Sequence, residues 1–153
     1  MVSHITAGFR HEARKTGDEM QPSDAANTNF PMLEGAIRNP DNPNHLMVVR
    51  PVRRTVRIYV DGTLIAQTQN ALRVMEMGKS PYDPALYIPA SDIIATLDPL
   101  DKTTHCPLKG DASYVTLNGN EIAWTYDRPL EISRQLAGHY AFWPDKVKIT
   151  EGD

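Results

Sequence analysis

This sequence predicts a mainly β domain: a small curled antiparallel sheet or barrel-like body with one or two short helices. Two hairpin signals and a change of hydrophobic period carry that expectation. Asp61-Gly62 and Asn118-Gly119 each sit between runs that alternate apolar with polar residues, and from Val48 onward the period is two. At 153 residues, with 41% hydrophobic and 23% charged residues, the chain has the length and composition of one globular domain.

The chain divides near residue 45 into an N-terminal arm (1–45), mostly irregular, and a single β-rich domain (46–153). In the arm, apolar residues are thin and Pro22, Pro31, Pro40 and Pro43 interrupt the pattern. Thr6 can cap a short helix bearing Ile5, Phe9 and Ala13, stopped near Gly17. So weak an apolar pattern cannot hold the arm alone. It is expected to pack along its own domain or across a second subunit, which points to a homodimer.

In the β-rich part, Val56, Ile58 and Val60 alternate with Arg57 and Tyr59, and Asp61-Gly62 fits a type I′ turn. Simple pairing sets Tyr59 opposite Leu64, Ile58 opposite Ile65 and Arg57 opposite Ala66. A third strand is expected over Ala71–Glu76, with Leu72 and Val74 on one face, and a fourth over Ala85–Ile88, stopped by Pro89. A helical turn is expected around Ser91–Ala95. Around Asn118-Gly119, simple pairing sets Val115 opposite Ile122 and Ser113 opposite Trp124. Val115, Leu117, Ile122 and Trp124 then share a core face, and Tyr114, Thr116, Glu121 and Thr125 the other. Pro129 opens a short helix with Ile132 and Leu136 four apart, closed by Gly138. Tyr140–Trp143 and Val147–Ile149 read as two last short strands.

The net charge of -3 gives no general basic face, so nucleic acid is not an expected partner. Arg50, Arg53, Arg54 and Arg57 form a local basic group, read as a solvated strand edge or a ligand patch. The N-terminus lacks the apolar run of a signal peptide and no segment reaches membrane-spanning length, so a cytoplasmic location without membrane contact is expected. One cysteine allows neither an internal disulfide nor a Cys-x-x-Cys zinc pair.

Reactive groups concentrate in Thr103-Thr104-His105-Cys106-Pro107-Leu108-Lys109-Gly110-Asp111-Ala112-Ser113-Tyr114. Pro107 biases Cys106 toward extended backbone, which turns His105 and Cys106 to opposite sides and makes them a poor dyad. Cys106 reads as a small buried side chain, not a catalytic thiolate. His105, Asp111, Glu121 and His139 are capable metal ligands, but no spacing among them marks a site, so no metal is assigned. Anion capture fits best: Gly110 permits a turn whose N–H groups approach a ligand, Lys109 supplies charge and Thr103 and Thr104 supply hydroxyls. Asp111 can hold Lys109 or accept from a ligand hydroxyl, or else simply cap the turn. With Tyr114 as a pocket wall, the ligand-binding candidates are Thr103, Thr104, His105, Lys109, Gly110, Asp111 and Tyr114.

That string resembles the signature of a bacterial family, domain of unknown function 427. Asn39-Pro40-Asp41-Asn42-Pro43, Val56–Ala66, Leu86-Tyr87-Ile88-Pro89, Ile122–Tyr126 and Ala137–Phe142 are similar to its other elements, so the resemblance covers about residues 39–150. The family's catalogued label, nucleotidyltransferase-like, implies transfer chemistry on a nucleotide. The Gly-Ser step of polymerase-type transferases is missing from this chain. The expected function is a small-molecule-binding domain, with enzymatic activity left open, for an anionic or phosphorylated ligand. The alternatives are a nucleotidyltransferase and a non-catalytic interaction module. Catalytic residues and cofactors are left unassigned.

Overall fold

The computed structural model describes residues 33–153. The expected helix at Thr6 and the greater part of the arm lie outside the described residues. Among these described residues, eleven strands, all paired antiparallel, make two sheets. The larger has the order β1-β2-β5-β6-β10-β9-β8-β7 and the smaller β11-β3-β4. A mainly β fold with a curled antiparallel sheet is therefore present, without closure into a barrel: β1 and β7 end the large sheet unpaired to each other.

Part of the arm expected to be mostly irregular is strand: β1 (Ile37–Asn39) turns at Pro40-Asp41 directly into β2 (Asn42–Val52). Pro40 opens this tight turn, and the Asn39 Oδ1 accepts from the Asp41 N–H at 3.0 Å. Pro43 is tolerated because the β1–β2 register skips between Asn39↔Asn42 and Arg38↔Leu46, so its missing N–H breaks no ladder bond.

β3 (Val56–Val60) and β4 (Thr63–Thr68) form the first hairpin, and β8 (Gly110–Leu117) and β9 (Asn120–Thr125) the second. Both turns are type I′ in character, with positive φ at Asp61 and Gly62 and at Asn118 and Gly119. Their registers depart from simple pairing by one bulge each. Tyr59 faces Leu64, but Ile58 then faces Ala66 and Arg57 faces Gln67. Likewise Thr116 faces Glu121, then Val115 faces Ala123 and Tyr114 faces Trp124. An extra residue in one strand exchanges the faces beyond it. Val115 and Ile122 consequently join one hydrophobic cluster and Trp124 the other, so these three do not share a core as expected.

β5 (Ala71–Met77), β6 (Ala85–Pro89), β7 (Asp98–Cys106), β10 (His139–Phe142) and β11 (Lys148–Glu151) complete the sheets. The concave face of the large sheet gathers Met47, Val74, Tyr87, Tyr114, Trp124 and Ala141 into one core. Its other face meets the small sheet through Ile88, Val115, Ala123 and Phe142 against Val56 and Ile58.

The two helices among the described residues are short 3-10 segments, Ala90–Asp92 and Glu131–Leu136. In the second, Ser133 and Leu136 are buried while Ile132 is 41% exposed. A three-residue turn puts positions i and i+3 on one side, which is why the expected pair four apart is not the buried one.

This helix is clasped by the β7–β8 turn. The Leu130 N–H donates to the Lys109 carbonyl at 2.8 Å, and the Ser133 hydroxyl to the Leu108 carbonyl at 2.6 Å. Gly110 has φ +112, and a Cβ there would stand 3.2 Å from the Leu130 nitrogen. We expect Gly110→Ala to lose about 2 kcal/mol in urea unfolding, because it combines a strained backbone with a contact against main chain.

Candidate functional site

The signature segment forms the β7–β8 hairpin, and strand alternation splits its side chains between two faces. Thr103 lies opposite Ser113 and His105 opposite Asp111, on the outer face. Thr104, Cys106, Gly110, Ala112 and Tyr114 lie on the inner one. His105 Nδ1 and Asp111 Oδ1 are 2.7 Å apart, with side chains 58% and 72% exposed. Such an exposed pair contributes little to stability. Thr103 is exposed, whereas the Thr104 hydroxyl bonds the phenol of buried Tyr114 at 2.7 Å.

Lys109 goes inward and is 1% exposed. Its ammonium donates to Glu76 Oε1. The other carboxylate oxygen accepts from His45 Nε2 at 2.8 Å, and Asn39 Nδ2 reaches His45 Nδ1 at 3.2 Å. Because Asn39 Oδ1 is committed to the Asp41 N–H, its amide nitrogen must be the group facing His45. His45 therefore accepts at Nδ1 and donates from Nε2. The result is a directed chain from the β1–β2 turn through β2 and β5 to the β7–β8 turn. Lys109, Gly110 and Asp111 are thus adjacent in sequence but are not gathered around one cavity with His105.

The electrostatics follow from burial. Burial raises the Glu76 pKa, but the Lys109 charge and the hydrogen bonds from His45 and Lys109 outweigh it and hold the carboxyl below its ordinary value. Burial likewise opposes the charge on Lys109, and Glu76 reverses that, holding the ammonium well above its usual range. Tyr87 is pushed up to about 12 and Tyr126 is also raised, in both cases chiefly by burial. The Tyr126 hydroxyl has no hydrogen-bond partner among the described residues, and its ring lies 5.9 Å from the Lys109 ammonium. The Cys106 thiol is buried and pushed up by that burial, so it is not the thiolate a nucleophile needs.

One concavity among the described residues lies where side chains of the two hydrophobic clusters meet. A cleft of about 320 Å³ is lined by Tyr82, Leu86, Trp124, Phe142, Trp143 and Ile149, among others. Its floor is tied to the interior: Trp124 Nε1 donates to the Tyr87 hydroxyl at 3.2 Å, and Trp143 Nε1 to Glu121 Oε2 at 2.9 Å. A second cleft, of about 400 Å³, lies on the outer side of β2 and β5 and is bounded by Leu33, where the described residues begin. A third, of about 500 Å³, lies beside the Asp61-Gly62 turn and has charged walls. Among the described residues no three of His, Cys, Asp and Glu converge as a group able to hold a metal.

Sequence reading passed over Asn39, His45 and Glu76. One signal was present: Glu76 continues the Val74 face of β5 and His45 the Met47 face of β2, each a polar group in line with an apolar stripe. A family model described as domain of unknown function (DUF427) matches residues 48–153, more than half of the chain. No curated protein matches it.

Linkage gives the pH behaviour a definite sign. A carboxyl held below its unfolded value adds stability that is complete above that value and disappears as pH falls through the folded one. Urea unfolding from neutral into acid pH should therefore show wild type losing stability, and Glu76→Gln should flatten that acid slope.

Proposed function

We propose that this chain, which belongs to the family named domain of unknown function 427, is a small-molecule-binding domain whose ligand occupies the aromatic cleft. The observation behind this is the cleft itself: about 320 Å³, walled by Tyr82 and floored by Trp124, Phe142 and Trp143. Ligand sites are characteristically concave, largely apolar and rich in aromatic side chains, with few polar groups. Here the floor is fixed by two indole hydrogen bonds, one to buried Tyr87 and one to half-buried Glu121, which preorganises it before any ligand arrives.

Lys109 was expected to be the cation for an anionic or phosphorylated ligand. Its charge already answers Glu76 within the fold, and the His105–Asp111 pair faces the other way. In this proposal the signature hairpin acts as scaffold: it carries Lys109 to Glu76 and clasps the second 3-10 helix. A nucleotidyltransferase activity, the meaning of the family's label, draws no support from the acidic residues, since no metal-holding group forms among the described ones.

One observation favours a second reading, a partner-binding module. The outer side of β2 and β5 presents Leu46, Val48, Met75 and Met77 together, with Met77 45% exposed.

Thermal-shift screening with neutral, anionic and cationic small molecules tests the main proposal, since a native-state ligand raises the melting temperature by mass action. At least one class should do so. Tyr82→Ala, which removes one half-buried wall of the cleft, should weaken that ligand about three- to tenfold, the range for one lost aromatic contact. A ligand indifferent to Tyr82→Ala, or no ligand in any class, would contradict the cleft assignment.

A further inference from the structure

We infer that the cleft selects an organic cation, a small quaternary or protonated ammonium group; this rests on the cleft being the binding site. Among its lining residues there is no lysine or arginine, and the one charged group is Asp83. Asp83 is exposed and has no ion-pair partner among the described residues. Both indole N–H groups are spent inside the fold, on Tyr87 and Glu121. The tryptophans therefore have no side-chain donor left for an anion or a carbonyl, and what they can offer at the floor is a small area of ring, each residue being 4% exposed. Aromatic faces carry negative potential and attract cations, most strongly when the cation is desolvated.

The same stack of rings already holds a cation of its own. Trp124 and Trp143 lie 4.3 Å apart between centroids, and Trp143 stacks on Tyr114 at 6.5 Å with planes 12° apart. On the Tyr114 end, the Lys102 ammonium stands 4.2 Å from the ring centroid and is anchored to Glu121 at 3.1 Å. A cation over a ring with a carboxylate beside it is thus how the molecule treats one end of this stack. The cleft presents the same two components at the other, aromatic rings and a carboxylate at Asp83, with the cation to be supplied from outside. Its volume suits a compact ammonium group with a short substituent.

Choline and its uncharged isostere 3,3-dimethylbutan-1-ol separate charge from shape. Trp124 and Trp143 are the only tryptophans in the chain, so fluorescence excited selectively at tryptophan, beyond the tyrosine absorption band, reports on this cleft. Choline should bind about tenfold more tightly than the alcohol, as expected for a desolvated cation–π contact. Asp83→Asn, a near-isosteric change at an exposed position, should weaken choline several-fold and leave the alcohol and the melting temperature unchanged. Equal binding of the two would overturn the cation assignment while keeping the cleft as a binding site. Failure of choline to bind would also overturn it, with the cleft itself then judged by the thermal-shift screen. Selective choline binding that Tyr82→Ala leaves unweakened would place the cation elsewhere and overturn it as well.

Discussion

A lysine ammonium enclosed in a protein interior imposes more on its surroundings than any other feature of this structure. Removing an ion from water costs several kcal/mol even after relaxation, and only a well-placed, fully hydrogen-bonded counter-charge offsets it. Lys109 projects from the β7–β8 turn at one end of the large sheet, and its partner Glu76 comes from β5, near the other end. The two can meet only if the sheet curls until its ends approach across the concave core. The ion pair and the curvature therefore require each other. His45 and Asn39 extend the requirement to β2 and β1, because Glu76 has a second oxygen to satisfy.

The same constraint explains the chemistry of the signature. Cys106, Lys109, Gly110 and Tyr114 are held on the inner side, where burial suppresses thiol and phenol ionisation alike. His105 and Asp111 stay outside as a surface pair. Dense reactive side chains thus become structural ties on one face and a solvated pair on the other. The tie reaches the cleft through Tyr87, which lies in the Lys109 field and accepts the Trp124 hydrogen bond. The cleft floor is fixed by the interior network without being part of it.

Local chemistry was legible in the sequence, and contacts between distant segments were not. The Asp61-Gly62 and Asn118-Gly119 turns appear as expected because positive φ leaves so few residue choices. β5, β6, β10 and β11 follow from alternation and from Pro89. Each bulge is one unpaired residue with no distinctive composition, yet it sent Trp124 to a different core from Val115. Pro40 was read as an interruption, though within a two-residue turn it begins a hairpin. Lys109 was identified as important from its setting, but its role depends on Glu76, 33 residues earlier. Nothing in local spacing joins those positions, and the cleft is likewise assembled from four separate stretches of chain.

The coupling between Lys109 and Glu76 is the most direct measure of whether this buried pair governs the fold. A double-mutant cycle with Lys109→Met, Glu76→Gln and both together, followed by urea unfolding at neutral pH, isolates it. Each single change should cost about 3–5 kcal/mol, because it leaves one buried polar group without its partner. The double change should cost clearly less than the sum, since neither uncompensated charge then remains. Single changes below about 1 kcal/mol that simply add, the behaviour of an exposed pair, would contradict it.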